Sequence, residues 1–168
     1  MKVASLAAAF ALAAMPLALA QEQDGATAEF VDMEGESSGT ASLTQTPTGV
    51  LIELEVSGLP AGQWVAFHVH EEGLCDHETD HESAGGHYNP DDAAHGYLAE
   101  GGPHAGDMPN QYVGDDGVLR AQVFNSMISL EGDSGIRGRA LMVHAGADDY
   151  TSQPTGDAGA RLACAVVE

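Results

Sequence analysis

Lysine occurs once in this chain, at Lys2, and four arginines stand against 26 aspartates and glutamates, a formal charge of −21. A protein that grips phosphate backbones needs a basic footprint, so this scarcity argues against nucleic acid as a partner. Cysteine is almost as rare, with Cys75 and Cys164 the two present. In an exported chain an even pair favours one disulfide, which would constrain the unfolded state by roughly 4–5 kcal/mol. A sustained 3.6-residue hydrophobic period is absent after residue 20, and short alternating runs take its place. Long apolar runs are missing too, except at the start. There Lys2 precedes a stretch broken only by Ser5 and Pro16 and ending Ala18-Leu19-Ala20. That pattern reads as a secretory signal peptide over residues 1–20, cleaved before Gln21. Pro16 and the polar segment that follows argue against a retained membrane anchor. No cysteine at the cleavage point offers a lipid acceptor. The expected location is periplasmic or secreted, with 21–168 as one domain long enough for its own core.

What is present is strand pattern. Val50, Ile52, Leu54 and Val56 alternate with Leu51, Glu53 and Glu55, a half-buried strand closed by Ser57-Gly58-Leu59-Pro60. Further strands are expected over 28–32, 40–45, 64–70, 118–124, 139–144 and 161–167, with turns at Pro47-Thr48-Gly49, Asp115-Asp116-Gly117 and 131–135. The fold class is all-β. Two connections, 71–110 and 145–160, are too long to be simple turns and need something besides their own backbone to hold them.

Seven of the eight histidines fall between Phe67 and Asp107, and His144 follows in a later strand. Strand alternation sets Trp64, Ala66, His68 and His70 on one face, with Val65, Phe67 and Val69 on the other, core-facing side. In 139–144 the same register sets His144 opposite Leu141 and Val143. A lone His-X-His is more often a pair of partly exposed strand residues than a ligand pair. Here His87, His95, His104 and Asp107 supply three imidazoles and a carboxylate in one loop, a donor set that suits tetrahedral zinc. His68, His70 and His144 offer three imidazoles from two strands, as copper(II) prefers, and need a fourth. His77 and His81 are needed by neither set. They read as members of a solvated acidic loop, with an auxiliary copper or zinc capture site as the sharper alternative.

Five fragments in order carry a family resemblance: Phe67-His68-Val69-His70-Glu71, Gly85-Gly86-His87-Tyr88-Asn89-Pro90, His104-Ala105-Gly106-Asp107, Gly138-Arg139-Ala140-Leu141-Met142-Val143-His144 and Gly159-Ala160-Arg161-Leu162-Ala163-Cys164. Together they resemble the copper/zinc superoxide dismutases, in their bacterial secreted form. The resemblance implies an eight-stranded antiparallel Greek-key barrel with two long functional loops. It implies dismutation of superoxide to oxygen and hydrogen peroxide at a copper that is alternately reduced and reoxidised. The implied copper ligands are His68, His70, His87 and His144. The implied zinc ligands are His87, His95, His104 and Asp107, so His87 would bridge the two metals and exchange a proton during the cycle.

The same resemblance assigns Arg161 to guiding and holding the superoxide anion, and Thr155 to narrowing the channel opposite it. Asp148 would link a copper-ligand histidine to a zinc-ligand histidine, fixing tautomer and orientation. With so acidic a chain, the metals and Arg161 must supply the local positive field for an anionic substrate; dismutases of this type are among the standard examples of such steering. Members of the family occur as dimers and monomers. A homodimer is the expectation, with Trp64 and Tyr112 as candidate interface residues. Two other classes stay open on sequence alone: a non-catalytic metal-storage module, and a secreted barrel that uses zinc only as a brace.

Overall fold

Period-two alternation builds most of the molecule. In the computed structural model, which describes residues 24–168, the strands are β1 (Gly25–Asp32), β2 (Ser37–Thr46), β3 (Gly49–Val56), β4 (Trp64–Val65), β5 (Phe67–His70), β6 (Gln111–Tyr112), β7 (Leu119–Asn125), β8 (Ala140–His144) and β9 (Arg161–Val166). The expected leader, 1–20, lies outside the described residues. Seven strands form one antiparallel sheet in the order β5-β8-β9-β1-β2-β3-β7, and β4 and β6 form a separate pair. That pair spans the two edges. β4 runs into β5 through Ala66, while Val113, just after β6, is bridged to Leu119 at the start of β7. The sheet therefore curls, and its long crossovers give the Greek-key order expected for the fold.

The inward faces are those the alternation marks. Val50, Ile52, Leu54 and Val56 of β3 are buried, and so are Phe30, Leu43, Phe67 and Leu141 from neighbouring strands. Each fully buried side chain of this size is worth about 1.5–3 kcal/mol of transfer free energy, so the interior carries the stability of the barrel.

Nine segments appear where the resemblance implies eight strands. The run expected as one strand over 64–70 is divided because the chain changes partner at Ala66. Trp64 and Val65 pair with Tyr112 and Gln111, whereas 67–70 pair with β8. β6 left no sequence signal because two residues are too few to show a period. Trp64 and Tyr112 are both exposed and meet edge to face with ring centroids 5.3 Å apart.

The histidine face of β5 points away from the apolar core, yet His68 and His70 are fully buried. The long loop covers them by extending the sheet. Val69 N–H donates to Gly106 O at 2.9 Å and its carbonyl accepts from Tyr88 N–H at 2.8 Å. Gly106 must be glycine, since a Cβ there would collide with the Val69 carbonyl. The Cys75–Cys164 disulfide closes as expected, and with Ala84, Ala140 and Met142 it forms a small apolar cluster under the loop. Among the described residues no helix is long and apolar enough to cross a membrane.

Candidate metal centre

Two buried ligand clusters lie side by side under the long loop and share one residue. One comprises His68, His70, His87 and His144; the other His87, His95, His104 and Asp107; in each the candidate ligand atoms lie within 4.8 Å of one another. The expected site residues are thus brought together from β5, β8 and the 71–110 loop. His77 and His81 join neither cluster among the described residues.

One backbone carbonyl and two carboxylates decide which nitrogen these rings present. His70 Nδ1 donates to Gly85 O at 2.9 Å, leaving Nε2 to face His144 Nε2 at 3.4 Å. His68 Nε2 donates to Asp148 Oδ2 at 2.8 Å, so Nδ1 is its free ligand atom. His87 Nδ1 lies 2.9 Å from Asp107 Oδ1, and its Nε2 is turned to the other cluster. His68 Nδ1 and His87 Nε2 are buried without any hydrogen-bond partner. Buried polar atoms left unpaired cost about 1–3 kcal/mol each, and here they converge on one point. A cation there would satisfy them. Four imidazoles suit copper(II).

In the second cluster Asp107 Oδ1 is approached by His87 Nδ1 at 2.9 Å, His95 Nδ1 at 3.1 Å and His104 Nδ1 at 3.4 Å. Donor atoms at the corners of a zinc tetrahedron with 2.0–2.1 Å bonds are about 3.3 Å apart, so these separations fit that ion. The other carboxylate oxygen, Oδ2, accepts from the N–H groups of Gly96 and His104 at 2.9 and 3.0 Å, which aims Oδ1 at the rings.

Burial pushes His68 down to about 4, His70 to about 2 and His144 to about 3, so these rings are neutral and available as ligands at physiological pH. Burial opposes charge at His95 as well, but its hydrogen bonds to Asp107 and Asp148 prevail and raise it to about 9. Asp107 and Asp148 are held well below the usual carboxylate range. For both, burial acts upward and is outweighed by the histidines they contact.

Asp148 joins the two clusters. Its Oδ1 accepts from His95 Nε2 at 3.0 Å while Oδ2 takes His68. Asn110, which sequence reasoning passed over, clamps it twice: Nδ2 donates to Asp148 O at 2.9 Å and Oδ1 accepts Asp148 N–H at 2.8 Å. Gly156, in the same loop as Asp148, carries no sequence signal of a role at the site. Its φ of +71° and the collision a Cβ would make with Asp148 and His95 show that it admits this carboxylate. Thr155 sits half-buried beside it.

Arg161 faces His144 in the β8–β9 register. Its Nη1 donates to His81 O at 2.7 Å and its Nη2 to Gly85 O at 2.8 Å. The reading of His81 as a solvated loop residue is overturned. His77 is exposed, but His81 is fully buried with neither ring nitrogen partnered. Successive left-handed residues, Asp80 and His81, fold the turn back so that the ring packs inward and its carbonyl reaches Arg161. Composition alone could not reveal that turn.

A family model described as copper/zinc superoxide dismutase matches residues 37–167. Superoxide dismutase [Cu-Zn] 1 of Aquifex aeolicus is 48% identical over 146 residues, covering 84% of this chain and 86% of that protein. The chain belongs to the copper/zinc superoxide dismutase family. Superoxide dismutase [Cu-Zn] of Caulobacter vibrioides is 40% identical, covering 85% of each chain. Among solved structures, the Cu/Zn superoxide dismutase of Brucella abortus superposes with a TM-score of 0.72 at 30% identity, covering 86% of this chain and all of that one. Membership of this family, with the two histidine-rich clusters, makes copper and zinc the cofactors of this dismutase.

In this dismutase the loop that carries the second cluster has little regular structure, so bound metal should be a major restraint on it. Chelation should expose 71–110 to limited proteolysis while the barrel strands stay protected. Equal cleavage with and without chelator would show that the disulfide and loop hydrogen bonds suffice.

Proposed function

We propose that the chain converts two superoxide anions and two protons into one oxygen and one hydrogen peroxide, with each buried cluster holding a different metal. The observation that carries this reading is the shared ring: His87 presents Nδ1 to one cluster and an unpartnered Nε2 to the other. His68 Nδ1, His70 Nε2, His87 Nε2 and His144 Nε2 would hold copper. His87, His95 and His104 through Nδ1, with Asp107 Oδ1, would hold zinc. When bound, copper supplies one-electron redox chemistry and zinc supplies a fixed positive charge.

The remaining work belongs to the protein. His87 Nε2 is the atom placed to take up and release a proton beside the substrate. Asp148 holds the His68 and His95 rings against rotation, and Asn110 holds Asp148. Arg161, clamped by two carbonyls, presents its charge to the anion without swinging away, and Thr155 borders the approach. Burial of both clusters excludes bulk water and sharpens these charge interactions. An extracytoplasmic, oxidising location is part of the reading; the leader-like residues 1–20 and the closed disulfide support it.

The test is dismutation by protein loaded with one equivalent each of copper and zinc, beside a zinc-only sample and Arg161→Ala. Activity should require copper, and the variant should lose roughly ten- to hundredfold in kcat/KM, the range that local steering commands. Tight binding of both metals without turnover would reassign the chain to metal storage.

A further inference from the structure

The turn that clamps Arg161 also brings an acid to it. His81 and Gly85, whose carbonyls accept the two hydrogen bonds of that clamp, flank a single 3-10 turn, Glu82–Ala84. Residue 82 follows directly on the first clamp, and Glu82 Oε2 lies 3.3 Å from Arg161 Nη2. The turn is anchored: Ala84 is fully buried in the small cluster with Cys75, Cys164, Ala140 and Met142. Exposure divides the pair unequally, with the Arg161 side chain 13% exposed and that of Glu82 71%. The arginine is therefore fixed, and the glutamate is free to leave it.

The two kinds of contact do different things to an approaching anion. Carbonyls orient the guanidinium and leave its unit charge in place, whereas a carboxylate cancels that charge locally. Among the other basic side chains none can compensate. Arg120 is paired with Glu55 and Asp116, Arg137 with Asp24 and Glu131, and Arg139 lies over the Tyr88 ring, 3.9 Å from its centroid. The described residues contain no lysine.

We propose that Glu82 is a tethered competitor for Arg161. Its carboxylate occupies the guanidinium at rest, must yield to each incoming monovalent anion, and so sets both the anion affinity of the site and its sensitivity to salt. This rests on the reading of Arg161 as the anion-holding residue. Glu82 acts through Arg161 and is a positioning residue. By Coulomb's law at solvent-like dielectric, a like charge about 4–5 Å from a bound anion weakens its binding roughly three- to fivefold. Salt screens that repulsion, so the effect should fade as ionic strength rises.

The experiment titrates azide, a small monovalent anion, into the copper- and zinc-loaded protein and follows the visible copper absorption. Dismutation kcat/KM is measured in parallel. Glu82→Gln keeps the shape and an acceptor oxygen but removes the charge. It should tighten azide binding roughly three- to fivefold at low ionic strength, with the difference shrinking in high salt. Glu78→Gln removes the same charge from the neighbouring turn, where no ion pair to Arg161 exists, and should leave azide affinity unchanged. Unchanged or weaker azide binding in Glu82→Gln, while Arg161→Ala does weaken it, would overturn the role of Glu82 alone. Unchanged azide binding in Arg161→Ala would overturn the reading of Arg161 and this proposal with it.

Discussion

Replacing His87 by alanine is expected to abolish dismutation, by more than roughly a hundredfold, and to reduce metal content at both clusters together. The change removes one ligand from each cluster, Nε2 from the first and Nδ1 from the second. Removing even an outer partner of a ligand commonly costs 10–100-fold in metal affinity, so loss of a shared ligand should cost more. Single-cluster substitutions provide the contrast. His144→Ala should lose copper and keep zinc, and His104→Ala should do the reverse. Metal stoichiometry by elemental analysis, with copper absorption as a second probe, reads the pattern directly. Full retention of either metal in His87→Ala would show that the ring is not shared.

Opening the disulfide is expected to lower thermal stability by roughly 10–20 °C, which corresponds to about 4–5 kcal/mol in a domain of this size. The bridge joins residues 89 apart, so it closes a long loop in the unfolded chain. It also ties the 71–110 loop to β9, three residues beyond Arg161. A Cys75→Ser, Cys164→Ser double variant, followed by calorimetry of the metal-loaded protein, measures the first effect. A second consequence is functional. The 81–85 turn packs through Ala84 onto the bridge and supplies both carbonyls that clamp Arg161, so the double variant should also bind azide more weakly. An unchanged melting temperature would mean that the metals already restrain the loop and leave the bridge little to add.

The ligand set was legible because metal chemistry restricts residue type. Few residue types serve such ions well, histidine foremost among them, and seven of eight histidines stand within one short stretch. Resemblance then divided them between two metals. The barrel was legible for a similar reason: burying one face of a strand forces period-two alternation, which β3 displays along its whole length. Less was legible where the chain lacks a period. His81 looked like one more polar residue in an acidic loop, and β6 was invisible. Asn110 and Gly156 had no pattern at all, because each acts on Asp148 across a gap of many residues or none of regular spacing.

By itself the sequence determined the fold class, the positions of the core-facing side chains and the inventory of metal donors, because these depend on local periodicity and on the chemistry of single residues. Only the tertiary structure decided which ring nitrogen faces which cluster, since that follows from partners such as Gly85 O, Asp148 and Asp107 that the fold brings in from other segments. It alone also decided that a turn anchored through Ala84 clamps Arg161 and sets Glu82 against it. Contacts of this kind join residues about eighty positions apart, and no local pattern in a chain encodes a distance in space.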